Sequence, residues 1–383
     1  MIPYGKQEIT QEDIDSVVDV LKSDFITQGP AIPGFEKAIT DYCGVEHAVA
    51  VNSATSALHI ACLALGLGEG DWLWTSPNTF VASANCGLYC GARVDFVDID
   101  PRSYNMCAEH LAEKLAAAEL NGKLPKIVVP VHFAGQSCDM RAIRKLADKY
   151  GFKIIEDASH AIGGRYLDKP IGGCQFSDVA VFSFHPVKII TTAEGGVAAT
   201  NDEEVANIMQ RLRSHGVTRD ANCMTGESDG PWYYQQIELG FNYRMTDIQA
   251  ALGCSQMQRL DKYITQRHEI FKKYNQYLEG LPIILPWQSE ESYSALHLYP
   301  IQIDSSIKNR KRVFENLRSL GIGVNVHYIP VHTQPYFKKF GFKSSDFPNT
   351  VEYYSKALSI PMFSSLDEQQ QLRVVEAIKS VVL

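Results

Sequence analysis

Short runs of apolar, often β-branched residues recur through the first half of the chain, at Ala48–Val51, Val94–Val97, Ile127–Val131, Lys153–Ile155, Val179–Phe182 and Gly196–Ala199. Several are apolar at nearly every position, the pattern of strands covered on both faces of a parallel sheet. Between them apolar residues return at helical spacing, as in Thr55–Leu65 and Met140–Lys149. Strand–helix alternation of this kind predicts an α/β domain with a largely parallel sheet. From Thr246 to Tyr263 the spacing predicts a long helix that continues through Arg267–Leu278. Beyond it the pattern changes: a strand at His297–Ile303, a helix at Ile307–Leu320, a strand at Val324–Tyr328 and a last helix at Leu366–Val381. This predicts a smaller α+β domain, with the boundary near residue 255, so that 1–255 form the large domain and 256–383 the small one.

Composition narrows the function classes. The chain has 383 residues, 45% hydrophobic and 21% charged, with a formal net charge of −8. No basic run is present to track a phosphate backbone, so nucleic acid is not an expected partner. The first residues, MIPYGKQEIT, lack the basic region and apolar run of a signal peptide. No stretch of about 18 apolar residues is available to span a bilayer. Nine scattered cysteines include no CxxC pair, and Cys86 and Cys90 have no second pair of ligands to join them, so no metal site is expected. Reduced cysteines in a cytoplasmic protein are the simple reading.

Four segments carry candidate chemistry. In V-F-S-F-H-P-V-K-I-I-T-T-A-E-G-G, Lys188 stands just past a strand ending at Ser183 and is flanked by Val187 and Ile189. Apolar surroundings favour the neutral amine, the form that attacks an aldehyde. A lysine whose head reaches water while its stem packs fits that segment equally. In I-I-E-D-A-S-H-A-I-G-G, Asp157 ends another apolar strand. A carboxylate there can pair with a protonated pyridine nitrogen, or can cap a turn. In A-V-A-V-N-S-A-T-S-A-L-H, a helix begins within Ser53–Ser56, which offers either open amides for an anion or a plain cap at Ser53 or Thr55. In T-S-P-N-T-F-V-A-S-A-N, Phe80 is placed to stack on a ring or to pack in the core. Gly66–Gly70 follows a helix and lacks dinucleotide-loop spacing, so a nicotinamide enzyme is not indicated. Together the segments supply a phosphate seat, a stacking ring, a pyridine partner and an amine.

The S-F-H-P-V-K-I-I-T-T-A-E-G-G block resembles the sugar aminotransferases of the DegT/DnrJ/EryC1/StrS family. The resemblance runs from Ile2-Pro3 and Ile26-Thr27-Gln28-Gly29-Pro30 to His327-Tyr328 and Tyr336. It implies the type I, aspartate-aminotransferase-like fold of pyridoxal 5'-phosphate (PLP) enzymes and a homodimer with shared active sites. By resemblance Lys188 forms the Schiff base with PLP and Asp157 pairs with its pyridine nitrogen. Ala54, Thr55 and Ser183 bind its phosphate, Phe80 stacks on its ring, and His160 lies beside it. Asn242, in G-F-N-Y-R, reaches the phosphate of the neighbouring subunit. Thr27, His327 and Tyr328 fall among substrate contacts. From their segments alone, Ser183 could serve a strand-end amide, His160 a buried polar contact, Asn242 a turn, and His327, Tyr328 and Tyr336 ordinary packing.

The segments N-S-A-T-S-A-L-H-I-A-C-L-A-L-G and W-Y-Y-Q-Q-I-E-L-G-F-N-Y-R-M resemble the branch of pseudaminic acid biosynthesis. That implies transfer of the L-glutamate amino group to C4 of a UDP-linked 4-keto-6-deoxy-N-acetylhexosamine. A dTDP- or UDP-linked 4-keto or 3-keto sugar of another kind is the alternative, and a non-catalytic PLP-fold sensor the remote one. Dehydratase relatives carry histidine at the lysine position. Here that position is Lys188, with His185 three residues earlier.

Overall fold

The computed structural model describes residues 1–304 and 309–383. Seven strands make the central sheet: β1 (His47–Val51), β2 (Trp72–Thr75), β3 (Arg93–Phe96), β4 (Ile127–Val129), β5 (Lys153–Asp157), β6 (Val179–Ser183) and β7 (Gly196–Thr200). Their order across the sheet is β1-β7-β6-β5-β4-β2-β3. Strands β3, β2, β4, β5 and β6 are parallel neighbours, and only β7 runs antiparallel, to both β6 and β1. The mostly parallel α/β sheet expected from the strand pattern is therefore present.

The period-two rule divides each strand between two cores. In β1, Val49 and Val51 pack with Leu58, Ala61 and Cys62 of the helix that follows it, α1 (Ala54–Ala64). Ala48 and Ala50 face the other way, toward Phe35 and Ile39. Both faces are covered, which explains why the strands read as apolar runs rather than alternating ones. A second helix, α2 (Ala82–Tyr89), follows β2 and packs on α1.

Three expectations about the C-terminal third need correction. The helix from Thr246 to Leu278 is two helices, Asp247–Met257 and Leu260–Leu278. At the break, Gln256 and Arg259 both reach Asp13, a fully buried carboxylate from the Gln11–Lys22 helix. The predicted strand at Val324–Tyr328 is a single bridge between Asn325 and Ser359. There the Asn325 side chain accepts the Val326 N–H at 2.8 Å, a local bond that competes with a strand ladder. The strand expected from His297 starts at Tyr299 instead, because the His297 N–H is taken by the Ala134 carbonyl at 2.8 Å. The predicted helix start at Ile307 lies outside the described residues, and the helix runs over Arg310–Ser319.

The second core is built on an antiparallel sheet of Ile283–Ile284, Tyr299–Ile303 and Ala357–Ile360, covered by Glu368–Val382. Ile2 packs in this core, with its N–H on the Gly321 carbonyl at 2.8 Å. Among the described residues no helix is long and apolar enough to cross a membrane.

Candidate active site

A cavity of about 540 Å³ opens at the carboxyl ends of β5 and β6, beside the start of α1. Its position follows from the sheet, since parallel strands leave their carboxyl ends and the following helix starts around one crevice. Asp157 and Ser183, the last residues of β5 and β6, line it. So do Ala54, Thr55, Phe80 and Lys188.

The start of α1 is both capped and open. The Ser53 hydroxyl accepts the Ser56 N–H at 3.2 Å, and the first intrahelical bond runs from the Ala57 N–H to the Ser53 carbonyl at 3.1 Å. Among the described residues the amides of Ala54 and Thr55 have no acceptor, and they stand at the positive end of the helix dipole, a seat for an anion. Gly196 makes room behind this seat, because a Cβ there would lie 2.6 Å from the Ala54 Cα. The Ser183 hydroxyl lines the cavity and makes no hydrogen bond within the described protein.

Asp157 is buried and held on both oxygens. The Ser83 hydroxyl donates to Oδ2 at 2.6 Å and the Ser159 N–H to Oδ1 at 3.1 Å. Ser83 is itself 2.7 Å from the Thr79 hydroxyl. Ser83 and Ser159 stand within the two segments quoted for Phe80 and Asp157, but a serine in a helix start carries no sign of which carboxylate it will meet. Phe80 is 60% exposed, so it belongs to the cavity wall rather than the core. Lys188 keeps part of its surface open to the cavity yet lies deep in the protein. Burial pulls its ammonium pKa down to about 8, with the Asp157 charge opposing that shift.

A group of neutral imidazoles shares the cavity. Burial, then the Lys188 charge, pushes His160 and His327 down, the latter to about 3. His297, absent from the sequence candidates, packs its ring 4.4 Å from that of His160 and is pushed down by burial and by His160. Its position inside an apolar run, H-L-Y-P-I, gave no signal beyond the histidine itself. The His327 Nδ1 lies 2.8 Å from the Ser359 hydroxyl, and the Tyr328 hydroxyl 3.0 Å from the His160 Nε2. Tyr4, at the chain start, also lines this wall.

Two predicted residues do not line this cavity. Thr27 and Asn242 are both exposed. Thr27 bridges Thr246 and Asn242 bridges Ser214, beside an open groove lined by Gln28, His215, Arg219, Tyr234 and Arg244. Tyr336 is exposed too and packs against Phe337 and Phe340.

The donor set fits PLP. Open amides suit a phosphate, an oriented carboxylate suits a protonated ring nitrogen, an exposed aromatic suits the ring face, and a lysine held toward neutrality suits the aldehyde.

Comparison with known proteins points the same way. Residues 7–379 match the DegT/DnrJ/EryC1/StrS aminotransferase family. The UDP-4-amino-4,6-dideoxy-N-acetyl-beta-L-altrosamine transaminase of Campylobacter jejuni is 37% identical over 391 residues, covering 100% of this chain and 98% of that one. Among solved structures, Helicobacter pylori PseC, an aminotransferase involved in the biosynthesis of pseudoaminic acid, superposes with a TM-score of 0.91. It is 30% identical and covers 100% of this chain and 99% of its own. The PMP form of Spr1654 from Streptococcus pneumoniae gives a TM-score of 0.92 at 29% identity, over 100% and 99% of the two chains.

Proposed function

Since the chain belongs to the DegT/DnrJ/EryC1/StrS family and is a PLP-dependent sugar aminotransferase, we propose that it moves the amino group of L-glutamate to C4 of a UDP-linked 4-keto-6-deoxy-N-acetylhexosamine. The observation that supports this acceptor most is the full-length similarity to the Campylobacter jejuni transaminase. The geometry supports the reaction type, through Lys188 and Asp157 meeting in one cavity.

When bound, PLP supplies an aldehyde that accepts an amino group and a ring that draws electrons from the bond losing its proton. Lys188 Nζ would hold the cofactor through its aldehyde. Held toward neutrality by burial, the Lys188 amine is the group that would take the proton from the donor's α-carbon as a base and return it as an acid. Asp157, fixed by Ser83 and the Ser159 amide, would accept the hydrogen bond of the ring nitrogen and favour its protonated form. The Ala54 and Thr55 amides and the Ser183 hydroxyl would hold the phosphate, and Phe80 would cover the ring. His327 and Tyr328 meet the sugar. His160 lies beside the reacting centre.

The active enzyme is a homodimer in the cytoplasm. Asn242 and Thr27, exposed and away from their own chain's cavity, act across the dimer, Asn242 on the partner's cofactor phosphate and Thr27 on its substrate. Arg219 and Arg244 beside them suit the diphosphate of the nucleotide sugar.

The test is incubation of the purified protein with ¹⁵N-labelled L-glutamate and a panel of UDP- and dTDP-linked 4-keto sugars, read by mass spectrometry. Label should enter the UDP-linked N-acetylhexosamine at C4. Amination of dTDP sugars alone, or of none, would defeat the proposal. Lys188→Arg should lose the cofactor's lysine-bound absorbance band and turnover together.

A further inference from the structure

His160 offers its Nδ1 to the Ala134 backbone N–H at 3.3 Å. A backbone amide is always a donor, so Nδ1 is the unprotonated nitrogen of the ring. His160 is buried, and neutral for lack of hydration and because Lys188 and His327 share its surroundings. A neutral imidazole carries one proton, which therefore sits on Nε2. That nitrogen lies 3.0 Å from the Tyr328 hydroxyl, so His160 donates and the Tyr328 oxygen accepts. The Tyr328 hydroxyl hydrogen cannot point back along this bond. Among the described residues the hydroxyl has no other hydrogen-bond partner, and both residues line the cavity that holds Lys188.

The surroundings fix the pair. The Tyr328 N–H is held by the Asn78 side chain at 3.3 Å, and the Tyr353 hydroxyl donates to the His327 carbonyl at 3.1 Å. Phe133 sits edge-on to the tyrosine ring at 6.1 Å, and the His297 ring backs His160 at 4.4 Å. A protonated His160 would lose the Ala134 contact and add a cation beside Lys188.

We infer that the Tyr328 hydroxyl donates a hydrogen bond to the carbonyl oxygen that reacts with the Lys188 amine in the cavity they share, and that His160 is the positioning residue that turns the hydroxyl toward that oxygen. When an amine condenses with a carbonyl, the N–C bond forms and the C–O bond breaks. The oxygen leaves as water, carrying the two hydrogens that the amine gives up. Tyr328 stabilises the oxygen as charge collects on it and ends the step with its own proton in place. The inference rests on Lys188 as the reacting amine of the proposed reaction. It does not depend on which sugar is the acceptor.

Two measurements decide it. The first is the ¹⁵N spectrum of histidine-labelled full chain, with the His160 signals assigned by their loss in His160→Gln. A single neutral form protonated at Nε2 is expected across pH 5.5 to 8.5. An Nδ1-protonated form, or an imidazolium in that range, overturns the inference. The second is the rate at which the full chain, freed of cofactor, captures added PLP, followed by the absorbance of the lysine-bound form. PLP is itself the carbonyl probe here, and no turnover is needed. Tyr328→Phe should slow capture about 10²-fold while PLP affinity stays within a few-fold. His160→Leu should slow it similarly. His160→Gln should restore it, because a glutamine oxygen can accept from Ala134 while its nitrogen donates to Tyr328. Capture by Tyr328→Phe at the wild-type rate overturns the donor role. Equal loss in His160→Gln and His160→Leu overturns the positioning role. Wild-type capture of PLP without amination of any UDP sugar defeats the proposed acceptor alone and leaves this inference standing.

Discussion

Glu156 and Asp157 are consecutive on β5, both buried, both carboxylates, and they face opposite sides of the sheet. Glu156 is closed off. Its Oε2 lies 2.7 Å from the His132 Nε2, and its Oε1 accepts from the Ser177 hydroxyl. The His132 Nδ1 in turn accepts the Cys138 N–H at 3.2 Å, so the chain of donors ends within the protein. Asp157 has two donors as well, Ser83 and the Ser159 amide, but it also borders a cavity of about 540 Å³. The pair separates a carboxylate closed off within the fold from one that borders the cavity and that we propose as the cofactor's partner. Both are satisfied in the way buried charges must be. What differs is whether acceptor capacity is left over and whether space lies in front of it.

Substitution can break this contrast. Asp157→Asn should leave unfolding nearly unchanged, because an amide keeps the shape and one acceptor, yet turnover should fall about 10³-fold or more as the ring nitrogen loses its anionic partner. Glu156→Ala should do the reverse. It strands the His132 Nε2–H and the Ser177 hydroxyl without an acceptor, which costs about 2–5 kcal/mol of stability. Urea unfolding should show that loss, while the activity of the folded fraction stays within a few-fold. If Glu156→Ala proved stable and inactive, the two faces of β5 would not be functionally distinct.

A smaller effect is expected one step back from Asp157. Ser83→Ala removes the 2.6 Å donor to Oδ2 but keeps the carboxylate. PLP affinity, measured by titration of cofactor-free protein, should weaken about tenfold, the worth of one hydrogen bond to a charged group. An unchanged affinity would mean that the Ser159 amide orients Asp157 unaided.

The sequence discloses one side of this comparison and hides the other. Apolar runs reveal the sheet, and position at a strand end marks Asp157 and Lys188, because parallel strands put their carboxyl ends around one crevice. Glu156 carries no such mark. Its partner His132 is 24 residues away along the chain, and only the pairing of β4 with β5 brings them together. The same holds for Ser83, which is 74 residues from Asp157, and for His297 against His160. The misread segment at Val324–Tyr328 shows the opposite failure. Its β-branched residues favour a strand, but the Asn325 side chain takes the next amide and turns His327 and Tyr328 into the cavity. Thr27 and Asn242, named only through family resemblance, lie away from the cavity of their own chain.

The finest distinction between the two carboxylates is electrostatic, and Lys188 reports it. Its pKa falls to about 8 because burial disfavours the ammonium, while Asp157 favours the ammonium and limits the fall. Only the neutral amine captures an aldehyde. The rate of PLP capture by cofactor-free protein should therefore rise with pH and level off above about 8, whereas an ordinary lysine, with a pKa near 10.4, would keep rising well beyond that. Removing the Asp157 charge takes away an interaction that stabilises the ammonium. The Lys188 pKa must then drop further, and in Asp157→Asn the plateau should begin at lower pH. Glu156 is not among the charges that act on Lys188, and in Glu156→Gln the plateau should stay where it is. The expected displacement is small, but its sign is fixed. A plateau that moved to higher pH in Asp157→Asn, or that moved equally in both variants, would place the lysine's controlling charge elsewhere than at the cavity end of β5.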